Sequence, residues 1–126
     1  MDETIYDLCV TGTCCDRTYY WSVIERYIVM KEQFSRIERL VGTQAMEKLY
    51  NSRVAVFGIG GVGGHAVEAL VRSGVESIDI IDSDDVAVSN INRQLIATHR
   101  TVGRKKVDVM KERILSINPN AEVVVH

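Results

Sequence analysis

Between the apolar run RVAVF (residues 53–57) and a helical pattern that starts at Gly61 lies GIGGVGG, residues 58–64, in which five of seven residues are glycine. Ordering glycine costs backbone entropy, so such a cluster marks a place where the chain turns sharply or lets another group approach its backbone. A strand running into a glycine loop and then a helix constrains everything downstream, because the chain must return to the same sheet. RVAVF lacks polar alternation, which predicts a strand buried on both faces. From Gly61 to Ser73, Val62, Ala66, Ala69 and Leu70 recur at helical spacing, and Gly74 reads as the residue closing that helix. SIDIID (77–82) predicts a second strand. Residues 104–117 predict a second long helix, with Val107, Met110, Ile114 and Ile117 spaced three, four and three. Asn118-Pro119 stops it, and EVVV (122–125) predicts a third strand. The order strand, helix, strand, helix, strand predicts the α/β class: a Rossmann-like parallel sheet, the N-terminal βαβαβ half of a doubly wound nucleotide-binding domain. Two short helices precede it, over 31–41 and 43–51, split by Gly42. Thr43 reads as an N-cap, with Ala45, Met46, Leu49 and Tyr50 on one face.

Residues 1–29 differ from the rest. They carry all three cysteines (Cys9, Cys14, Cys15) and the single tryptophan, and their apolar positions fit neither period. Residues 1–29 are expected to be an N-terminal extension and 30–126 the nucleotide-binding half, truncated at its C-terminus. Two readings of the extension stay open: a native arm, or an upstream addition to a chain initiated at Met30. Three clustered cysteines without a fourth ligand read as free thiols rather than a zinc site or disulfide framework. A 46% apolar and 25% charged composition is that of an ordinary globular chain, which excludes disorder along the whole length. The net charge of −2 gives no global attraction to nucleic acid or an anionic membrane. No stretch has the length of a membrane span, and Met1-Asp2-Glu3 lacks the basic-then-apolar order of a signal peptide, so a cytoplasmic chain is expected.

Gly58, Gly60 and Gly63 match G-x-G-x-x-G between strand and helix. In that setting the first glycine permits the turn, the second lets the backbone meet a phosphate, and the third lets helix and strand pack closely. Free N–H groups at the helix start face the anion. Asp82, 24 positions after Gly58, is placed to bond ribose hydroxyls. Close helix–strand packing alone leaves Gly61 and Gly64 unexplained. NAD is one ligand that fits. The stretch DSDDVAVSNINRQ (82–94) points elsewhere, because it puts Asn90 and Arg93 just past the acidic strand end, with Lys106 thirteen residues beyond Arg93. A triphosphate carries more charge than a dinucleotide, and its leaving group needs neutralising. A guanidinium fork and an ammonium point charge suit that work.

GxGGxG, D-x-D, S-N-x-x-R-Q, V-G-x-x-K and I-N-P, in this order, resemble the ubiquitin-activating-like superfamily that includes ThiF, MoeB and HesA. FSRIERLVG, NINRQLIA and VMKERILSINP resemble in particular its tRNA threonylcarbamoyladenosine dehydratase (TcdA) branch, from about Gln33 to Val125. The resemblance implies ATP-dependent adenylation of a carboxylate. In that branch the carboxylate belongs to the threonylcarbamoyl group on adenosine 37 of a tRNA, and intramolecular capture closes a ring with loss of water. It implies that Gly58, Gly60, Gly61 and Gly63 line the nucleotide, that Asp82 holds the ribose, and that Asn90, Arg93 and Lys106 bind the phosphates. It implies that Arg36 reaches across a homodimer into the partner's site, with Arg39 as the competing candidate, and that Gln94 supports the Arg93 loop. Asp84 and Asp85 read as loop caps. Mg²⁺ is implied too, held by an aspartate that follows the next strand in these enzymes, beyond the end of this chain; activity is therefore expected to need more than these residues. Arg100, Arg104, Lys105, Lys106, Lys111 and Arg113 form a basic cluster that reads either as a tRNA contact or as a solvated helix start. An NAD-dependent oxidoreductase fragment, a non-catalytic nucleotide-binding or dimerising remnant and a sulfur-carrier adenylyltransferase are the competing functions.

Overall fold

A computed structural model describes residues 32–126. The chain divides into two compact units, Met1–Ser35 and Arg36–His126. Of the first, only residues 32–35 are described, and they are helical. The expectations for residues 1–29, including the three cysteines and Met30, lie outside the described residues.

In the second unit helical residues run to 41, and Gly42, at φ 85°, breaks the helix before α1, Thr43–Tyr50. Gly42, not Thr43, is the N-cap, and no side chain caps this helix. The left-handed turn at residue 42 has already put Thr43 into the helix, which corrects the expected cap. Met46 is buried, and Ala45, Leu49 and Tyr50 are half-buried on the same face. A Cβ on Gly74, itself at φ 102°, would meet Met46 Cε at 3.0 Å and Tyr50 Cε1 at 3.2 Å. That glycine lets α1 rest directly on the turn that closes the next helix.

Strand β1 is Arg53–Phe57, α2 is Gly61–Arg72, β2 is Ser77–Ile81, α3 is Lys106–Ile117 and β3 is Glu122–Val125. The sheet is parallel with order β1-β2-β3. Val54 lies opposite Ile78, Val56 opposite Ile80, and Ile78 and Ile80 opposite Val123 and Val125. This face is the core. It packs with Val67 and Val71 of α2 and Val107, Met110 and Ile114 of α3, and α2 and α3 touch each other.

One expectation fails here. β1 is an edge strand with its alternate residues exposed, Phe57 to 79%, so it is not buried on both faces. Helices α2 and α3 cover the same side of the sheet. The buried stripe of α2 is Gly64, Val67 and Val71, while Val62 is 87% exposed and Ala66 and Ala69 are exposed. Both sets recur at helical spacing, and only the position of the sheet selects between them.

Gly63 and Gly64 differ sharply in what they tolerate. A Cβ on Gly63 would fall far inside contact distance of the Gly58 carbonyl oxygen, because the first turn of α2 lies directly on the loop. A Cβ on Gly64 would meet only Met110 Cε, at 4.0 Å. Across the α2–α3 seam, Glu68 takes Arg72 at 2.7 Å and Arg113 at 2.9 Å. Its hydrogen bond from Arg113, and then that from Arg72, hold the Glu68 carboxyl below the usual glutamate range against the opposing effect of burial.

Gly63→Ala is expected to cost about 3 kcal/mol, because backbone must move. Gly64→Ala is expected to stabilise by about 0.5–1 kcal/mol through reduced chain entropy. Urea denaturation of the two variants checks both signs. Glu68 has a depressed folded-state pKa, so its stabilisation is present above the unfolded value of about 4.3 and fades as pH falls through the folded value. Glu68→Gln should lower stability by about 1 kcal/mol at neutral pH. Thermal melts below pH about 4.3 should show the gap to wild type closing.

Candidate functional site

The C-terminal ends of β1 and β2 meet at the glycine loop. Gly58, at φ 86°, donates its N–H to Ile81 O at 2.8 Å, extending the sheet pairing by one bond while the chain turns. Nothing lies within 4 Å of a Cβ built on it, so glycine is needed here for conformation and not for space. Ile59 is fully buried and anchors the turn in the core. Gly60 caps α2 without any side-chain bond, and the helix's first internal bond is Gly64 N–H to Gly60 O. The N–H groups of the first turn therefore have no acceptor within the helix and point out of its start.

Asp82 follows β2 and is bound to that loop. Its Oδ2 accepts the Ile59 N–H at 2.6 Å and its Oδ1 accepts the Asp84 N–H at 2.8 Å. Lys106, the first residue of α3, is buried; its Nζ donates to Asp84 Oδ2 at 2.7 Å and lies 3.8 Å from Asp82 Oδ2. This bond is the main cause that holds the Asp84 carboxyl below the usual aspartate range. Asp85 pairs with Lys105 at 2.8 Å, and the two residues form an isolated antiparallel bridge. That bridge fixes the start of α3 beside the end of β2. Asp84 and Asp85 are thus ion-pair partners of Lys106 and Lys105, a role beyond the loop caps expected of them.

The segment after β2 folds back against the glycine loop. Val88–Asn90 is a single 3-10 turn. Asn90 is buried; its Oδ1 accepts the Ala87 N–H at 3.0 Å and its carbonyl accepts the N–H groups of Arg93 and Gln94. Arg93 is exposed, its Nη1 donating to Ser89 O at 2.9 Å and to Asn92 Oδ1 at 3.0 Å. A Cβ on Gly61 would lie 3.6 Å from Arg93 O, and one on Gly60 would lie 3.9 Å from Gln94 Nε2. Both are ordinary contacts, so packing within the protein demands neither glycine.

The fold brings together Gly58, Gly60, Gly61, Gly63, Asp82 and Lys106, and lays Arg93 and Gln94 against the same loop. Asn90 shapes the turn that carries Arg93. Arg36 is exposed on the helical residues ahead of α1, and among the described residues no hydrogen bond or ion pair joins it to this cluster. The basic cluster is largely neutralised within the fold. Arg104 pairs with Glu112, Lys105 with Asp85, Lys106 with Asp84 and Arg113 with Glu68. Their partners lie up to 45 positions away in the chain, so a local count of charges could not find them. No three Asp, Glu, His or Cys side chains converge as a metal site among the described residues. The nearby Asp84 carboxylate already pairs with Lys106, and the described residues do not form a Mg²⁺ site.

The ThiF family model matches residues 34–126. The chain is 56% identical over 95 residues to a tRNA threonylcarbamoyladenosine dehydratase of Bacillus subtilis, covering 75% of this chain and 37% of that protein. It is 45% identical over 95 residues to the enzyme of the same name from Escherichia coli, covering 75% and 35%. The solved structure of the E. coli enzyme in complex with ATP superposes with a TM-score of 0.75, at 45% identity, over 76% of this chain and 40% of that one. The chain spans little more than a third of the length of these two dehydratases. No described helix is long and apolar enough to cross a membrane.

Asp82 has structural work before any ligand arrives. Asp82→Ala removes a carboxylate accepting two backbone N–H groups and should destabilise the fold by about 1.5–3 kcal/mol without ligand. Asp82→Asn keeps one acceptor oxygen and should fall between wild type and Ala. Chemical denaturation of both variants checks that order.

Proposed function

This chain belongs to the ThiF family, and from that premise we propose that it carries the ATP-binding site of an enzyme adenylating a carboxylate. The proposed substrate is the threonylcarbamoyl group on adenosine 37 of a tRNA. The observation that carries the reading is the buried Lys106, whose Nζ sits between Asp84 and Asp82 on the acid that clamps the glycine loop. An NAD site has no need of an ammonium at that point. A triphosphate does, because negative charge grows on the leaving pyrophosphate during transfer.

In this reading the triphosphate lies across the start of α2, where Gly60 and Gly61 leave the backbone bare. Asp82 keeps acceptor capacity for ribose hydroxyls beside the two backbone bonds it already takes. Arg93, held by the turn that Asn90 organises, supplies an exposed guanidinium. The substrate carboxylate attacks the α-phosphorus; a carboxylate O–P bond forms and the bond to the pyrophosphate oxygen breaks. A nucleophile of the same threonylcarbamoyl group then displaces AMP and closes a ring. The net change on the tRNA is loss of water, with ATP converted to AMP and pyrophosphate. Catalysis by these residues is positional and electrostatic. A homodimer in which Arg36 reaches the partner's nucleotide belongs to the same proposal, as does a cytoplasmic site of action. The relatives' names support the substrate class, and the ATP complex of the E. coli enzyme supports the nucleotide.

Calorimetric titration with ATP and with NAD, separately, tests the nucleotide; binding of ATP but not NAD is expected, and preference for NAD overturns the reading. Pyrophosphate release with threonylcarbamoylated tRNA, and none with tRNA lacking that group, tests the substrate. Lys106→Met should weaken ATP binding by about 2 kcal/mol, as for a lost bond to a charged group, and adenosine binding far less. Equal loss for both ligands would remove Lys106 from the phosphates.

A further inference from the structure

Gln94 sits where stability alone does not explain a polar side chain. It is 8% exposed. Its backbone groups are both used: its N–H donates to Asn90 O, and its carbonyl accepts the Ala97 N–H. Its side-chain Oε1 is fully buried and has no hydrogen-bond partner among the described residues. Methionine would fill a similar volume without burying an unmatched acceptor. The other end of the amide is the informative one. Nε2 lies 3.9 Å from the point where a Cβ of Gly60 would stand, on the flank of the turn that glycine leaves bare. Next to it, α2 begins with N–H groups that have no acceptor inside the helix. Arg93 O borders Gly61 on the same side.

We propose that Gln94 is a phosphate-binding residue, presenting Nε2 as a neutral donor beside the N–H groups of Gly61 and Val62 to an anion on the Gly60 turn. The inference rests on the nucleotide reading and adds a named contact to it. A neutral donor suits this position. A third cation beside Lys106 and Arg93 would face the positive end of α2, whereas an amide adds a directed bond without that repulsion. Burial of the rest of the side chain fixes the amide's direction, so little freedom is lost when the anion arrives.

Two near-isosteric variants test this by calorimetry with ATP and with adenosine as the phosphate-free probe. Gln94→Met should melt at or above the wild-type temperature, bind ATP about tenfold more weakly, and bind adenosine as wild type does. Gln94→Glu replaces the donor with a carboxylate facing the phosphates and should lose ATP far more severely, again with adenosine retained. Wild-type ATP affinity in the Met variant overturns the inference alone. So does an equal loss of ATP and adenosine with a lowered melting temperature, which marks a purely structural residue. A wild-type chain that takes up no ATP overturns the nucleotide reading, and this inference with it.

Discussion

The carboxylate of Asp82, accepting the Ile59 N–H at 2.6 Å, ties the ends of two neighbouring strands together. It fixes a glycine-rich loop that would otherwise be the most flexible backbone in the domain. With Ile59 held and buried, Gly60 must start α2 where it does, and the first turn of α2 then presses on Gly58 so closely that residue 63 has no room for a side chain. The orientation of the helix start follows from that bond. Lys106, at the start of α3, brings its ammonium to 3.8 Å from Oδ2 of the same acid group. One carboxylate thus sets the backbone that would meet an anion and lies beside the cation that would meet its charge.

Cations in this fold are sorted by burial. Arg53, Arg104, Lys105 and Arg113 are bound to carboxylates of neighbouring elements and join helices and strands at the surface. Surface pairs of this kind each contribute little to stability, but they remove positive charge from any external partner. Lys106 is the buried one, held by Asp84 on the side open to solvent. Arg93 is exposed, and its guanidinium bonds residues one and four positions away. The basic character of residues 100–113, conspicuous in the sequence, is thus spent mostly inside the molecule.

The sheet has two unlike faces. One carries Val54, Val56, Ile78, Ile80, Val123 and Val125 beneath α2 and α3. The other carries a polar ladder in which Arg53 bonds Asp79 through two nitrogens and Glu122 through a third, with His126 also on Asp79. Arg53, then His126, hold the Asp79 carboxyl below its usual range. The ladder ties the middle of the central strand to its neighbours on both sides through charge pairs on the face that α2 and α3 leave open. The exposed Phe57 lies on the same side as this ladder, towards the glycine loop.

The order and type of the elements from Arg53 to Val125 were legible in the sequence, because strand runs, helical spacing and the glycine loop are local signals that agree with one another. Of the residues that the sequence proposes for a site, the three motif glycines, Asp82, Arg93 and Lys106 come together around one loop, and Asn90 shapes the turn that carries Arg93. What each does was less legible. Asp82 read as a ligand-binding acid, and only the tertiary structure shows it clamping Ile59. Asp84 read as a cap, and only the fold brings Lys106 to it from 22 positions away. The helical periodicity of α2 permitted two buried stripes, and the sheet chose Gly64, Val67 and Val71. RVAVF read as buried on both faces because hydrophobicity along a strand does not say how many layers cover it. Spacing along a chain thus fixes which side chains share an element, whereas pairing across elements depends on where the sheet and helices come to rest, and that is a property of the packed core.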